Sequence, residues 1–171
     1  MDSHGRYIQN FLERYFCYCK VIFKSGAHID FATHNVRTLT PREYSYVLLH
    51  IGTNNFFTRS KREKNSCRKI LDDLESLITE THSTYFKSTI LFSAILPKCD
   101  FDLYNDRVRY VNRKLKERTS HLERFIFVPH EKCFITKTTS RYKSFKQYYH
   151  DDTHLNMDGL QIMTDHIIST L

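Results

Sequence analysis

Asp151 and His154, three residues apart in Tyr149-His150-Asp151-Asp152-Thr153-His154-Leu155-Asn156, are suited to general acid-base chemistry. On one short loop the carboxylate can orient the imidazole and leave its second nitrogen to take a proton. Taken alone, an Asp-x-x-His is more often a solvated turn, so the pair needs a nucleophile and an oxyanion site elsewhere. Ser3 precedes a helical repeat. A serine there is commonly a helix cap, and it is also placed to act as a nucleophile whose developing charge is eased by the helix dipole and the free N–H groups. Gly26 has no Cβ, so its N–H can come close to a substrate. Asn54, in Gly52-Thr53-Asn54-Asn55, carries an amide able to donate to an oxyanion. A glycine in the place of Gly26 is usually turn punctuation, and the tetrapeptide around Asn54 reads equally well as a Gly-Asn turn.

The elements that must position these residues follow from hydrophobic spacing. Tyr7, Ile8, Phe11, Leu12, Tyr15 and Phe16 form one stripe of a helix, with Ser3 at its start. Val21-Ile22-Phe23 reads as a short buried strand ended by Gly26, and residues 28–37 as a short helix. Tyr46 to Ile51 is a near-continuous apolar run, the pattern of a central parallel strand buried on both faces. A helix is clear from Ile70 to Ile78, a strand from Thr89 to Leu96, a helix starting at Asn105 and Asp106, and a last strand over Phe125–Val128. From His130 to His150 the pattern lapses into a basic and aromatic mixture, read as a long loop or irregular helix and suited to a lid. A final amphipathic helix carries Met157, Leu160, Met163, Ile167 and Ile168.

At 171 residues and 40% hydrophobic content, the chain suits one domain with an ordinary core. Its 26 Lys+Arg against 19 Asp+Glu give +7, spread along the chain. That charge favours acidic partners or nucleic acid only non-specifically. Five cysteines without a regular spacing fit reduced thiols and a cytoplasmic protein better than a disulfide scaffold. No apolar run approaches about 18 residues, so no membrane span is expected. Cys17-x-Cys19 is too tight for a zinc knuckle and lies far in sequence from His150 and His154, so no metal is expected. His28, His34, His50 and His130 read as surface or core-edge residues, and Cys67, Cys99 and Cys133 as small buried or neutral ones.

Strands alternating with helices imply a doubly wound α/β sandwich, in which the loops after successive strands gather on one edge. Ser3, Gly26, Asn54 and the Asp151/His154 pair all fall at such loops. In this order the blocks Asp2-Ser3, Ser25-Gly26-Ala27, Gly52-Thr53-Asn54-Asn55 and Asp151-x-x-His154-Leu155-Asn156 resemble those of the SGNH hydrolases, the GDSL-like esterases, across the whole chain. The resemblance implies a three-layer α/β/α fold with a flavodoxin-like parallel sheet. It implies Ser3 as nucleophile, His154 as base, Asp151 as its orienting acid, and Ser3 N–H, Gly26 N–H and the Asn54 side chain as oxyanion donors. The reaction implied is hydrolysis of an ester substrate without a cofactor. In that family a glycine and, before it, a buried strand precede the Asp-Ser pair. Met1 stands there instead, so the expectation is a single domain over 1–171 with its first, central strand missing through N-terminal truncation. The alternative is a hydrolase-like module impaired in catalysis that contacts nucleic acid or protein, as in proteins of some mobile elements.

Overall fold

The structure, a computed structural model, describes residues 4–39, 43–56, 66–99, 101–137 and 142–171. Ser3 lies outside the described residues. Helix α1 (Gly5–Leu12) is followed by α2 (Ile29–Thr38), strand β1 (Tyr46–Leu49), a 3-10 turn over Thr53–Phe56, and α3 (Cys67–Thr84). Strand β2 (Thr89–Ser93), α4 (Asp102–Thr119), β3 (Phe125–Val128) and a single turn α5 (Glu131–Phe134) come next. The chain ends with β4 (Ile135–Lys137), β5 (Tyr142–Ser144), a 3-10 turn over Lys146–Tyr148 and α6 (Met157–Ile168).

Strands β1, β2 and β3 form a parallel sheet in that order, with Tyr46 opposite Thr89 and Ile90 opposite Phe125. Alternate side chains of β2 divide the core. Ile90 and Phe92 join the cluster built by α2, α3 and α4, while Leu91 joins Ile8, Phe11, Leu160, Met163 and Ile167 of α1 and α6. A sheet with helices on both faces is the α/β/α sandwich that the alternating pattern predicts.

Four expectations are corrected. Tyr46–Leu49 stands at the sheet edge, not its centre; β2 is central, and Tyr46 is 41% exposed. Val21–Phe23 forms no strand, because among the described residues no strand lies beside it to share its backbone hydrogen bonds. Phe125–Val128 is not the last strand: Ile135 pairs with Ser144 and Lys137 with Tyr142 in an antiparallel hairpin, in the stretch read as loop. Helix α4 also begins three residues earlier than expected. Asn105 is not its cap; its side chain accepts from Lys98 N (2.8 Å) and donates to Lys98 O (2.7 Å), locking the loop after β2.

Candidate active site

The Asp151 loop is built by local bonds first. Asp151 Oδ1 accepts from the N–H groups of Thr153 and His154, each at 2.7 Å, closing a tight turn. Its Oδ2 then accepts from His154 Nδ1 at 2.7 Å. Burial pulls the Asp151 carboxyl upward, but the His154 ring and the two backbone donors outweigh it and hold the group at about 2. With Nδ1–H committed to Asp151, the neutral His154 ring carries its lone pair on Nε2. That atom has no hydrogen bond among the described residues, and the side chain is 44% exposed.

Longer-range bonds pin the loop to the fold. Tyr149 and Leu155 make an antiparallel bridge, and His150 N donates to His154 O at 2.7 Å. Cys99 N donates to Asp152 O, and Tyr149 OH to Pro97 O, both at 2.9 Å, fastening the loop to the segment after β2. Asn156 caps α6 by accepting from Gly159 N at 3.0 Å, and its amide donates to Gln147 O at 2.7 Å. Gly159 has to be glycine for a packing reason: a Cβ there would run into the Tyr148 carbonyl oxygen.

The other sequence-predicted loops also reach this edge of the sheet. Gly26 sits at φ +70 in the turn that Ala27 N closes onto Lys24 O (3.1 Å). Asn54 Nδ2 donates to Ala27 O at 3.0 Å, which joins the loops after Phe23 and β1 and commits one of the two amide hydrogens. Its neighbour Asn55 is a structural tie: Asn55 Oδ1 accepts from Ile29 N at 3.0 Å at the start of α2. His4, the residue after Ser3, is buried with its ring centroid 5.9 Å from that of His154, and its Nε2 accepts from Leu155 N at 3.3 Å.

From His4 a buried polar chain runs across the sheet, and the sequence reading missed it. His4 Nδ1 meets His50 Nε2 (3.3 Å), His50 Nδ1 meets Ser93 Oγ (2.8 Å), Ser93 Oγ meets His130 Nε2 (2.8 Å), and His130 Nδ1 meets His166 Nδ1 (3.2 Å). An amide N–H can only donate, so Leu155 assigns every proton in turn. His4 carries its proton on Nδ1, as do His50 and His130; Ser93 donates to His130; His166 carries its proton on Nε2. Each imidazole accepts on one nitrogen and is therefore neutral. Burial pushes His130 well below its ordinary range, with His50 and His166 adding to the effect. His50 and His130, read as surface or core-edge residues, are 1% exposed. A histidine after an apolar run and a serine ending another were the only visible signals.

Among the described residues no cluster of three His, Cys, Asp or Glu is placed to hold a metal, and no helix is long and apolar enough to cross a membrane.

No protein-family model and no curated protein matches the sequence. Solved structures do match in fold. A Streptococcus pneumonia protein described provisionally as a platelet activating factor superposes with a TM-score of 0.79 at 21% identity, over 99% of this chain and 80% of the other. The acetyl xylan esterase AlAXEase gives 0.69 at 17% identity, over 98% and 90%. The OSK domain of Drosophila Oskar gives 0.69 at 16% identity, over 96% and 84%. The chain therefore has an SGNH hydrolase-like fold, shared with esterases and acylhydrolases.

Proposed function

We propose that the protein is a serine esterase or acyl hydrolase working through Ser3, His154 and Asp151. The observation that carries this reading is the Asp151-held His154, with Nε2 available as a base and the neighbour of Ser3 packed against its ring. Ser3 Oγ attacks an ester carbonyl as His154 Nε2 takes its proton. The oxyanion is met by the N–H groups of Ser3 and Gly26 and by the second hydrogen of the Asn54 amide. The protonated His154 then gives its proton to the leaving alcohol, and a water activated by the same imidazole releases the acyl group. The substrate is a small or acylated ester, and the five free cysteines fit a reducing, cytoplasmic setting.

A fluorophosphonate probe and a short-chain nitrophenyl ester test this directly. Labelling and turnover are expected in the wild-type chain and lost in Ser3→Ala. Labelling that persists unchanged in that variant would sink the assignment.

The OSK domain favours a second reading, because it shares the fold to the same degree as the esterase AlAXEase and fold alone does not carry function. On that reading the chain is a binding module with impaired catalysis. Salt-dependent retention of single-stranded nucleic acid, with no ester turnover, is the result it requires.

A further inference from the structure

Five contacts carry the buried chain from the loop of His154 to α6: Leu155 N to His4, His4 to His50, His50 to Ser93, Ser93 to His130 and His130 to His166. His50 follows β1, Ser93 ends β2 and His130 follows β3, so the chain crosses the sheet strand by strand. His4, His50, Ser93 and His130 are buried, and the last ring, His166, is partly open to solvent. At the loop end the chain takes hold beside the candidate base. The bonds of Tyr149 and Asp152 fasten the start of the loop to the segment after β2, and Asp151 holds the His154 ring from within the loop. His4 accepts from the amide that follows His154, with its own ring 5.9 Å from the imidazole.

Each contact takes one hydrogen. The Leu155 amide, the rings of His4, His50 and His130 and the Ser93 hydroxyl supply one apiece, which fills the chain with His166 as its final acceptor. Protonating His166 makes both of its nitrogens donors. One hydrogen is then surplus, and one of the contacts must bring two donors together.

We propose that His4 is a positioning residue for His154, and that the chain behind it makes this hold depend on whether His166 carries a second proton. Positioning here rests on the reading of His154 as the base. Burial keeps His130 uncharged, so the charge of a proton taken from solvent settles on His166. The contacts of Ser93 with His50 and His130 join the ends of neighbouring strands, which cannot separate without opening the sheet. At His130–His166 the surplus hydrogen would set a ring N–H against the N–H of a cation, a costly pairing in a buried site. At the other end the two donors are neutral, 3.3 Å apart, and one of them is loop backbone able to draw away. There the added proton ends on His4 Nε2, and within each contact from His4 to His166 the hydrogen lies on the atom that accepted it before. Leu155 N loses its acceptor. The loop beside His154 is released from the sheet while Asp151 still holds the ring locally. Besides His130, the elements packed there bring Arg14 and Tyr15 at the end of α1, Glu131 and Cys133 on α5, Lys146 on the 3-10 turn, and Asp165 on α6, whose carboxylate is bound by Tyr15 and Gln161. None of these six enters the five contacts.

The test follows hydrogen exchange of the Leu155 amide, together with the ring signals of His166, by NMR as the pH is lowered through the range in which histidines charge. It compares the wild-type chain with His166→Asn, whose side-chain oxygen can still accept from His130 and cannot gain a charge. The protection factor of the Leu155 amide is expected to fall ~10-fold or more as His166 takes its second proton, and to hold within ~2-fold in His166→Asn. His154 is present in both chains, so its own charging cannot produce the difference. Ser93→Ala cuts the chain in its middle and should likewise uncouple the Leu155 amide from His166. Turnover of a nitrophenyl ester should fall more steeply with acid in the wild-type chain than in His166→Asn. Equal loss of protection in both chains would overturn the inference, as would a His166 ring that takes its proton while the Leu155 amide stays protected. The exchange measurement needs no turnover. A coupled chain that hydrolyses no ester would remove the esterase reading and leave the link from His166 to Leu155 standing, whereas a Ser3-dependent esterase with an uncoupled Leu155 amide would remove the link alone.

Discussion

The two sides of this sheet edge are built to different standards. Around His154 nearly every polar group is engaged: Asp151 accepts three bonds, the loop is bridged at Tyr149–Leu155, and Cys99 and Tyr149 fasten it to the segment after β2. Along β1 the Tyr46 and Leu48 amides face an apolar groove, and the segment opposite never becomes a strand. The difference shows that local turns and one buried histidine chain are enough to fix the Asp151–His154 loop, whereas the backbone groups along the open side of β1 find no partner among the described residues.

The largest effect that would break this comparison is catalytic. If the loop is the working acid-base half, Asp151→Asn leaves its shape near native but removes the charge that fixes the His154 tautomer. Turnover of a nitrophenyl ester should fall by ~10³ to 10⁴. Unchanged turnover would reduce the loop to a well-made turn.

Stability effects come next. Ser93→Ala removes the hydroxyl between His50 and His130, leaving a buried donor and a buried acceptor without each other. The expected cost is about 1 to 3 kcal/mol for each group, measured by urea unfolding. Gly159→Ala forces a methyl against the Tyr148 carbonyl and should cost about 1 to 3 kcal/mol; no change would show that the loop yields where it looks pinned.

The histidine chain also sets a pH dependence. Burial holds His130 below its ordinary range, so near pH 6.5 the unfolded chain takes up a proton that the native chain refuses. The stability contributed by the neutral chain is whole above about pH 6.5 and is lost as pH falls. Asp151 behaves the same way lower down: its carboxyl titrates at about 2 instead of 3.8, so its share is whole above about pH 4 and disappears toward pH 2. The urea midpoint should fall between pH 7.5 and 5.5, and a flat profile there would mean that the native chain accepts the proton.

How much was legible follows the range of the interactions. The Asp151–His154 pair could be read because its bonds span three residues, and α3, α6 and β2 because their spacing alone encodes a buried face. The buried histidines could not, since His50–Ser93 and Ser93–His130 join residues 43 and 37 apart. The apolar run at Tyr46 marked burial on both faces and so read as central, although burial does not say which neighbour provides the second backbone partner. The hairpin β4/β5 was missed because three-residue strands in a polar stretch carry almost no periodicity.

The smallest predicted effect bears most directly on the open side. Val21 lines the groove beside β1, half-buried and outside any strand, so Val21→Ala should cost under about 0.5 kcal/mol. Leu91, 1% exposed in the central strand, should cost about 2 to 5 kcal/mol when cut to alanine. A cost for Val21→Ala as large as that for Leu91→Ala would mean that the segment Tyr18–Ile22 is packed as firmly as the central strand, and would erase the difference between the two sides.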